Sequence, residues 1–248
     1  MARLFFKSLL LSLLMATCVP VFSSFGQEVD KNFIVVKNIL AQSPNTQVLH
    51  LKLDSLYKKG IPSRSKLSLV FTRDIDFNHQ HQRVNFGVNF GYFQIDLITH
   101  NDSILMSVLS HKDNRKLRSI RIQEEAINTY LATRNSFYKS SKTSKEVAVE
   151  ISKELVYAFY CGDGSPKTEE GKQIERLVKN SNTQKLGEML TSLSVETQSF
   201  AVTGFEMLSS LEKKITPDQK RMIQHIKNRN SEVVACKGCL SGLIEKVY

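Results

Sequence analysis

No stretch of this 248-residue chain approaches the ~20 consecutive apolar residues that a membrane-crossing helix needs. The longest apolar run, within "SLLLSLLMA", follows Arg3 and Lys7 and precedes Ser24 and Gly26, small residues at the −3 and −1 positions of a cut before Gln27. That order of charge, short apolar run and small residues is a secretory signal peptide over residues 1–26, and it predicts a secreted or periplasmic protein. The alternative is a lipoprotein anchored through Cys18, for which Thr17 is large and the following "VPVF" unusually apolar.

Enzyme signatures are missing as well. The chain has no G-x-S-x-G, H-E-x-x-H, phosphate-binding P-loop or dinucleotide fingerprint. No catalysis is evident and no cofactor is implied.

Cysteine is scarce. Outside the leader there are three, Cys161, Cys236 and Cys239, and three cannot all pair. An oxidising compartment favours one structural disulfide and one spare thiol. A bridge from Cys161 to Cys236 or Cys239 would close a loop of about 75 residues, worth on the order of 4 kcal/mol by restriction of the unfolded chain. A Cys236–Cys239 pair is the alternative, since "EVVAC" followed by "KGCLSGLIEKV" reads as a strand entering a C-x-x-C that opens a helix, as in thiol-active proteins. Only nine residues follow Cys239, too few for a thioredoxin-like fold. Zinc would need a second ligand pair of the C-x-x-C or H-x-x-x-H kind, and none is present.

Charge is uneven. The 34 Lys and Arg against 24 Asp and Glu give a net +10, or +8 without the leader. Lys112, Arg115, Lys116, Arg118 and Arg121 cluster against Asp113, and Lys139, Lys142 and Lys145 follow. Such patches are solvated surface or meeting places for anionic partners. Export disfavours nucleic acid and points to a protein partner on the cell envelope or outside the cell.

With 41% hydrophobic and 23% charged residues the chain is a folded globular one. "KNFIVVKNILA" is too short to divide helix from strand. Leu49, Leu51 and Leu53 alternate, as do Leu67, Leu69 and Phe71, and each set predicts a strand. In "VNFGVNFGYFQIDL" Val84, Phe86, Val88 and Phe90 alternate with polar and glycine positions, and the pattern slips at Tyr92-Phe93, where a bulge is expected. Residues 100–103 supply a hairpin turn into "ILMSVLSH".

The period then becomes helical. Ile122, Ala126, Ile127, Tyr130 and Leu131 share a helix face. Thr143 with Glu146 forms a capping box for a helix carrying Val147, Ala148, Ile151, Leu155, Ala158 and Phe159. Ser165-Pro166 and Thr216-Pro217 open two more. The resulting division is a β-rich N-terminal domain over residues 27–134 with a short helix at its end, a basic linker over 135–145, and a helical domain over 146–248.

Within that domain, residues 184–211 carry Leu186, Met189 and Leu190, a turn, then Val195, Ala201, Val202, Phe205 and Leu208. This segment resembles a single HEAT-type helical hairpin. The resemblance implies a helical protein-interaction surface without catalysis, in an α+β fold of an antiparallel sheet followed by an all-helical bundle with HEAT-like packing.

The most suggestive polar cluster is "RDIDFNHQHQR". His79 and His81 would share one face of a strand, with Asp74 or Asp76 adding oxygen, so a metal-binding or metal-dependent hydrolase reading stands beside that of a plain polar loop between strands. The leading expectation is an exported binding or structural interaction module; the metal cluster and a thiol-active Cys236/Cys239 pair are its alternatives.

Overall fold

The structure, a computed structural model, describes residues 31–58, 67–88, 91–112 and 118–248. Residues 1–26, read as a signal peptide, with Cys18 among them, and Phe90, Asp113, Arg115 and Lys116 lie outside the described residues. Two helices come first, α1 over residues 31–41 and α2 over Thr46–Lys58. A five-stranded antiparallel meander follows: β1 Leu67–Asp74, β2 His79–Val88, β3 Gly91–His100, β4 Ser103–His111 and β5 Arg118–Ile122, each paired with its sequence neighbour. Then come α3 Glu124–Tyr138, α4 Ser144–Ser152, α5 Glu169–Lys179, α6 Thr183–Leu190, α7 Val195–Ser210 and α8 Pro217–Arg229, and a hairpin of β6 Glu232–Lys237 and β7 Leu240–Lys246.

The sheet is a middle layer because both of its faces are apolar. Val84, Phe86, Phe93, Ile95, Leu97 and Leu109 meet Phe33, Val36 and Leu40 of α1 and Leu49 and Leu53 of α2. Ile98, Met106 and Val108 meet Ile127, Tyr130 and Leu131 of α3, Val147, Ala148 and Ile151 of α4, and Val233 and Ala235 of β6. Each fully buried Phe or Leu contributes about 2–3 kcal/mol of transfer free energy. A third core joins Ile174 and Val178 of α5, Leu186 and Leu190 of α6, Phe200, Phe205 and Leu208 of α7, and Met222 and Ile226 of α8.

Several sequence expectations are corrected. The segment read as a strand through Leu49, Leu51 and Leu53 is α2. Leu49 and Leu53 are buried four residues apart while Leu51 is 63% exposed, and the Asn45 side chain accepts from Val48 N at 2.9 Å to start the helix. The slip near Tyr92 is the reversal of a hairpin, with Val88 paired to Gly91, and is no bulge. Helix α3 runs on to Tyr138, into the stretch read as linker. Helix α4 stops at Ser152, although its Thr143 capping box is present as expected. Leu155, Ala158 and Phe159 therefore lie beyond it, where the chain runs beside β6 and Tyr157 N donates to Val234 O at 2.7 Å. The helix expected from Ser165-Pro166 begins at Glu169, capped by Thr168. The C-terminal half is not all-helical: residues 240–246 form β7, and Gly238 and Gly242 take φ of +59° and +86°, outside the helical region.

Helices α6 and α7 are joined by residues 191–194 and pack closely at Gly204, where an added Cβ would sit 2.7 Å from Leu186 Cδ2 and 3.3 Å from Ile174 Cγ2. Gly187 has only Gln219 Nε2 near, at 3.4 Å. Replacing either by alanine gains up to ~1 kcal/mol of helix propensity, but overpacking costs about 1–3 kcal/mol. Gly204→Ala is expected to lower the unfolding free energy by about 1–2 kcal/mol and Gly187→Ala to leave it equal or higher, in urea titrations of the two variants.

Candidate functional site

The "RDIDFNHQHQR" cluster lies on the β1–β2 hairpin, and its four candidate ligands have different neighbours. The tip is a tight turn in which Ile75 N donates to His79 O, while Phe77 and Asn78 take φ of +54° and +62°. Asp74 is exposed and accepts from Gln80 Nε2. Asp76 is buried and points into the helices. His79 Nδ1–H donates to Phe77 O, 2.8 Å away, and the ring stacks on Tyr130 and His100 at 4.1 and 4.6 Å. His81 is buried against Asp96. Among the described residues no three His, Cys, Asp or Glu side chains converge where an ion could be held.

What the hairpin tip builds instead is a buried charge lock. Asp76 Oδ2 accepts from Arg134 Nε at 2.9 Å, and Oδ1 accepts from Tyr138 Oη at 2.9 Å, His225 Nε2 at 2.9 Å and Arg229 Nη1 at 2.6 Å. Arg134 also donates to the carbonyls of Thr191 and Ser192 at the end of α6. Burial opposes ionisation of Asp76, but the His225 hydrogen bond, the Arg229 and Arg134 charges and the Tyr138 hydroxyl outweigh it and hold the carboxyl below its usual range. The tip carries the ring of Phe77 against His225 and Phe137.

A second buried set lies along the same face of the sheet. Arg73 pairs with Glu196 of α7, which also accepts from Val234 N of β6. Asp96 accepts from Arg83 Nε at 2.7 Å, Gln94 Nε2 at 2.7 Å and His81 Nε2 at 2.9 Å. Arg83 continues to the carbonyls of Ile151 and Lys153 at the end of α4. With Nε2–H donating to Asp96 and Nδ1 facing Arg73 Nη2 at 3.5 Å, a neutral His81 satisfies both sides. Burial is the main reason its imidazole is pushed down to about 4.

Above the lock is an open cleft of about 740 Å³, floored by the stacked rings of His79, His100 and Tyr130 with Phe77, and rimmed by Glu124, Glu125, Thr129 and Thr133 of α3. Burial, with His100 facing it, holds the His79 imidazole below its usual value. The sequence flagged His79 and Asp76 but not Tyr130, Arg134, Tyr138, His225 or Arg229. One signal was available: Arg134 falls on the apolar stripe of α3, in step with Ile127, Tyr130, Leu131 and Tyr138, where a charge demands a buried partner.

The three cysteines resolve into a Cys161–Cys236 disulfide, with Cα atoms 5.6 Å apart, and a free, exposed Cys239. Compared with known proteins, the chain matches no family model, and no curated protein or solved structure shows significant similarity to it.

The buried histidine sets a pH dependence. The unfolded chain protonates His81 near its ordinary 6.5 and the folded chain near 4, so this contribution is full above pH ~6.5 and is lost as pH falls toward 4. Protonation of Asp76, Asp96 and Glu196, all held low, removes stability in the same direction at more acid pH. Urea unfolding from pH 7 to 4.5 is expected to show a loss of roughly 2 kcal/mol from His81 alone. His81→Gln should flatten that slope by a comparable amount; equal slopes would place the loss elsewhere.

Proposed function

We propose that this chain is an exported interaction module of the cell envelope or extracellular space, which takes a protein partner in the cleft between the hairpin tips and α3. The observation that carries the reading is the cleft itself. Its floor of stacked rings is carried on the hairpin and on helix α3, which the Asp76 lock joins, and its size suits one or two side chains of a partner. A preorganised aromatic floor with a polar rim is how binding surfaces limit the entropy lost on association.

Export is supported by the disulfide, a bond that persists in oxidising compartments, together with the leader pattern of residues 1–26. No helix among the described residues is long and apolar enough to cross a membrane. The α6–α7 pair, HEAT-like in sequence, offers a second helical surface in the same reading. Against the metal-dependent alternative stands the separate engagement of Asp76, His79 and His81.

A photo-crosslinking residue placed at Thr133 on the cleft rim should give a discrete adduct in envelopes of the producing cell. The same residue at Lys213, exposed and away from the cleft lining, should not, and Ala126→Trp, which fills the cleft, should abolish the Thr133 adduct without changing thermal stability by more than a few degrees. Equal labelling from both positions would remove the cleft as the binding surface.

A further inference from the structure

Cys239, the free cysteine, follows directly on a residue that touches the disulfide of the same chain. Lys237 pairs with Leu240, so Gly238-Cys239 is the two-residue turn of the β6–β7 hairpin, with Gly238 at φ +59°. The Gly238 carbonyl accepts from Gly162 N at 2.8 Å and lies 3.4 Å from Cys236 Sγ. The peptide bond that leads into Cys239 is therefore laid directly against the Cys161–Cys236 bridge, and the attacking residue is one bond further along. The neighbourhood is open: an added Cβ at Gly238 or Gly164 would meet nothing within 4 Å, and one at Gly162 only Pro166 at 3.9 Å.

We propose that Cys239 is a resident exchange thiol that isomerises this bridge. The Cys239 thiolate attacks Cys236 Sγ; the Cys236–Cys239 bond forms as the Cys161–Cys236 bond breaks, and Cys161 leaves as a thiolate that takes up the proton Cys239 gave to solvent. One thiol and one disulfide exist before and after, so no oxidant or reductant is required. Cys236 is the sulfur attacked because Cys161, half-buried in a glycine-flanked turn, is the more solvated leaving group, whereas Cys236 is buried. The exchange replaces a bridge spanning 75 residues by one within the hairpin. It removes the covalent tie between residues 155–168 and β6 and presents a new thiol at Cys161.

Two preparations of the full chain test this. Oxidised wild type is incubated without added thiol at several pH values, quenched in acid, alkylated and mapped under non-reducing conditions. We expect a linked Cys236–Cys239 peptide and alkylated Cys161 at pH 8.5, forming more slowly at acid pH, as expected of thiol–disulfide exchange. Cys239→Ser should keep Cys161 unlabelled throughout. In Cys161→Ser, oxidation by a glutathione couple should leave no free thiol in a monomer. Alkylation confined to Cys239 in wild type at every pH, a rate that rises with protein concentration, or two free thiols in Cys161→Ser would each overturn the proposal.

Discussion

A single carboxylate, that of Asp76, joins the sheet to the helices behind it. It is buried at the tip of the first hairpin and accepts from α3 through Arg134 and Tyr138 and from α8 through His225 and Arg229. A lone buried carboxylate would carry a desolvation cost of several kcal/mol, and only partners on all sides make it tolerable. The consequence is geometric. The hairpin is held with Phe77 and Asn78 in left-handed conformations, which for a residue such as Phe costs on the order of 1 kcal/mol or more and persists only where the surroundings dictate it. Arg134, in turn, ties the lock to the carbonyls that end α6, so α3, α6 and α8 share one fixed point.

The same principle repeats along the sheet face. Arg73 with Glu196, and Arg83 with Asp96, each link a strand to a helix or to the backbone at a helix end. Charges buried in this way add less net stability than apolar residues of the same shape. They specify instead which face meets which helix. The cleft has a floor of stacked rings and a rim of exposed side chains on α3, the combination from which the binding reading follows. The hairpin at the C-terminus is attached differently, through Val234 to Glu196, through Tyr157 and through the disulfide. It carries one end of the disulfide and the exposed free thiol.

Local features were legible in the sequence and long-range ones were not. The turn at residues 100–103, the strand after it, the Thr143 capping box and the Thr216-Pro217 helix start are written in side chains within four residues of each other, and each is found. Leu49-x-Leu-x-Leu53 misled because a short amphipathic helix and a strand both place positions 49 and 53 on one face; only the exposure of Leu51 separates them. The duplicated "VNFGVNFG" concealed a reversal, since its two sides pair with each other across the turn. Residues 240–246 lost their strand to an expected helix because the glycines at 238 and 242 were not weighed as left-handed positions. At the site, Asp76 and His79 stood out as polar residues between strands, yet the partners of Asp76 lie 58 to 153 residues away. Distance along the chain carries no trace of such pairing in one sequence.

The lock is tested most directly by a double-mutant cycle between Asp76→Asn and Arg134→Met, followed by urea unfolding at pH 7. If the pair is the constraint on which the layers depend, each single change should cost about 3–5 kcal/mol by stranding a buried partner. The double variant should lose at least ~2 kcal/mol less than the two losses combined. Losses that add to within ~0.5 kcal/mol would contradict the account, since the two side chains would then act independently and the hairpin would be held by packing alone.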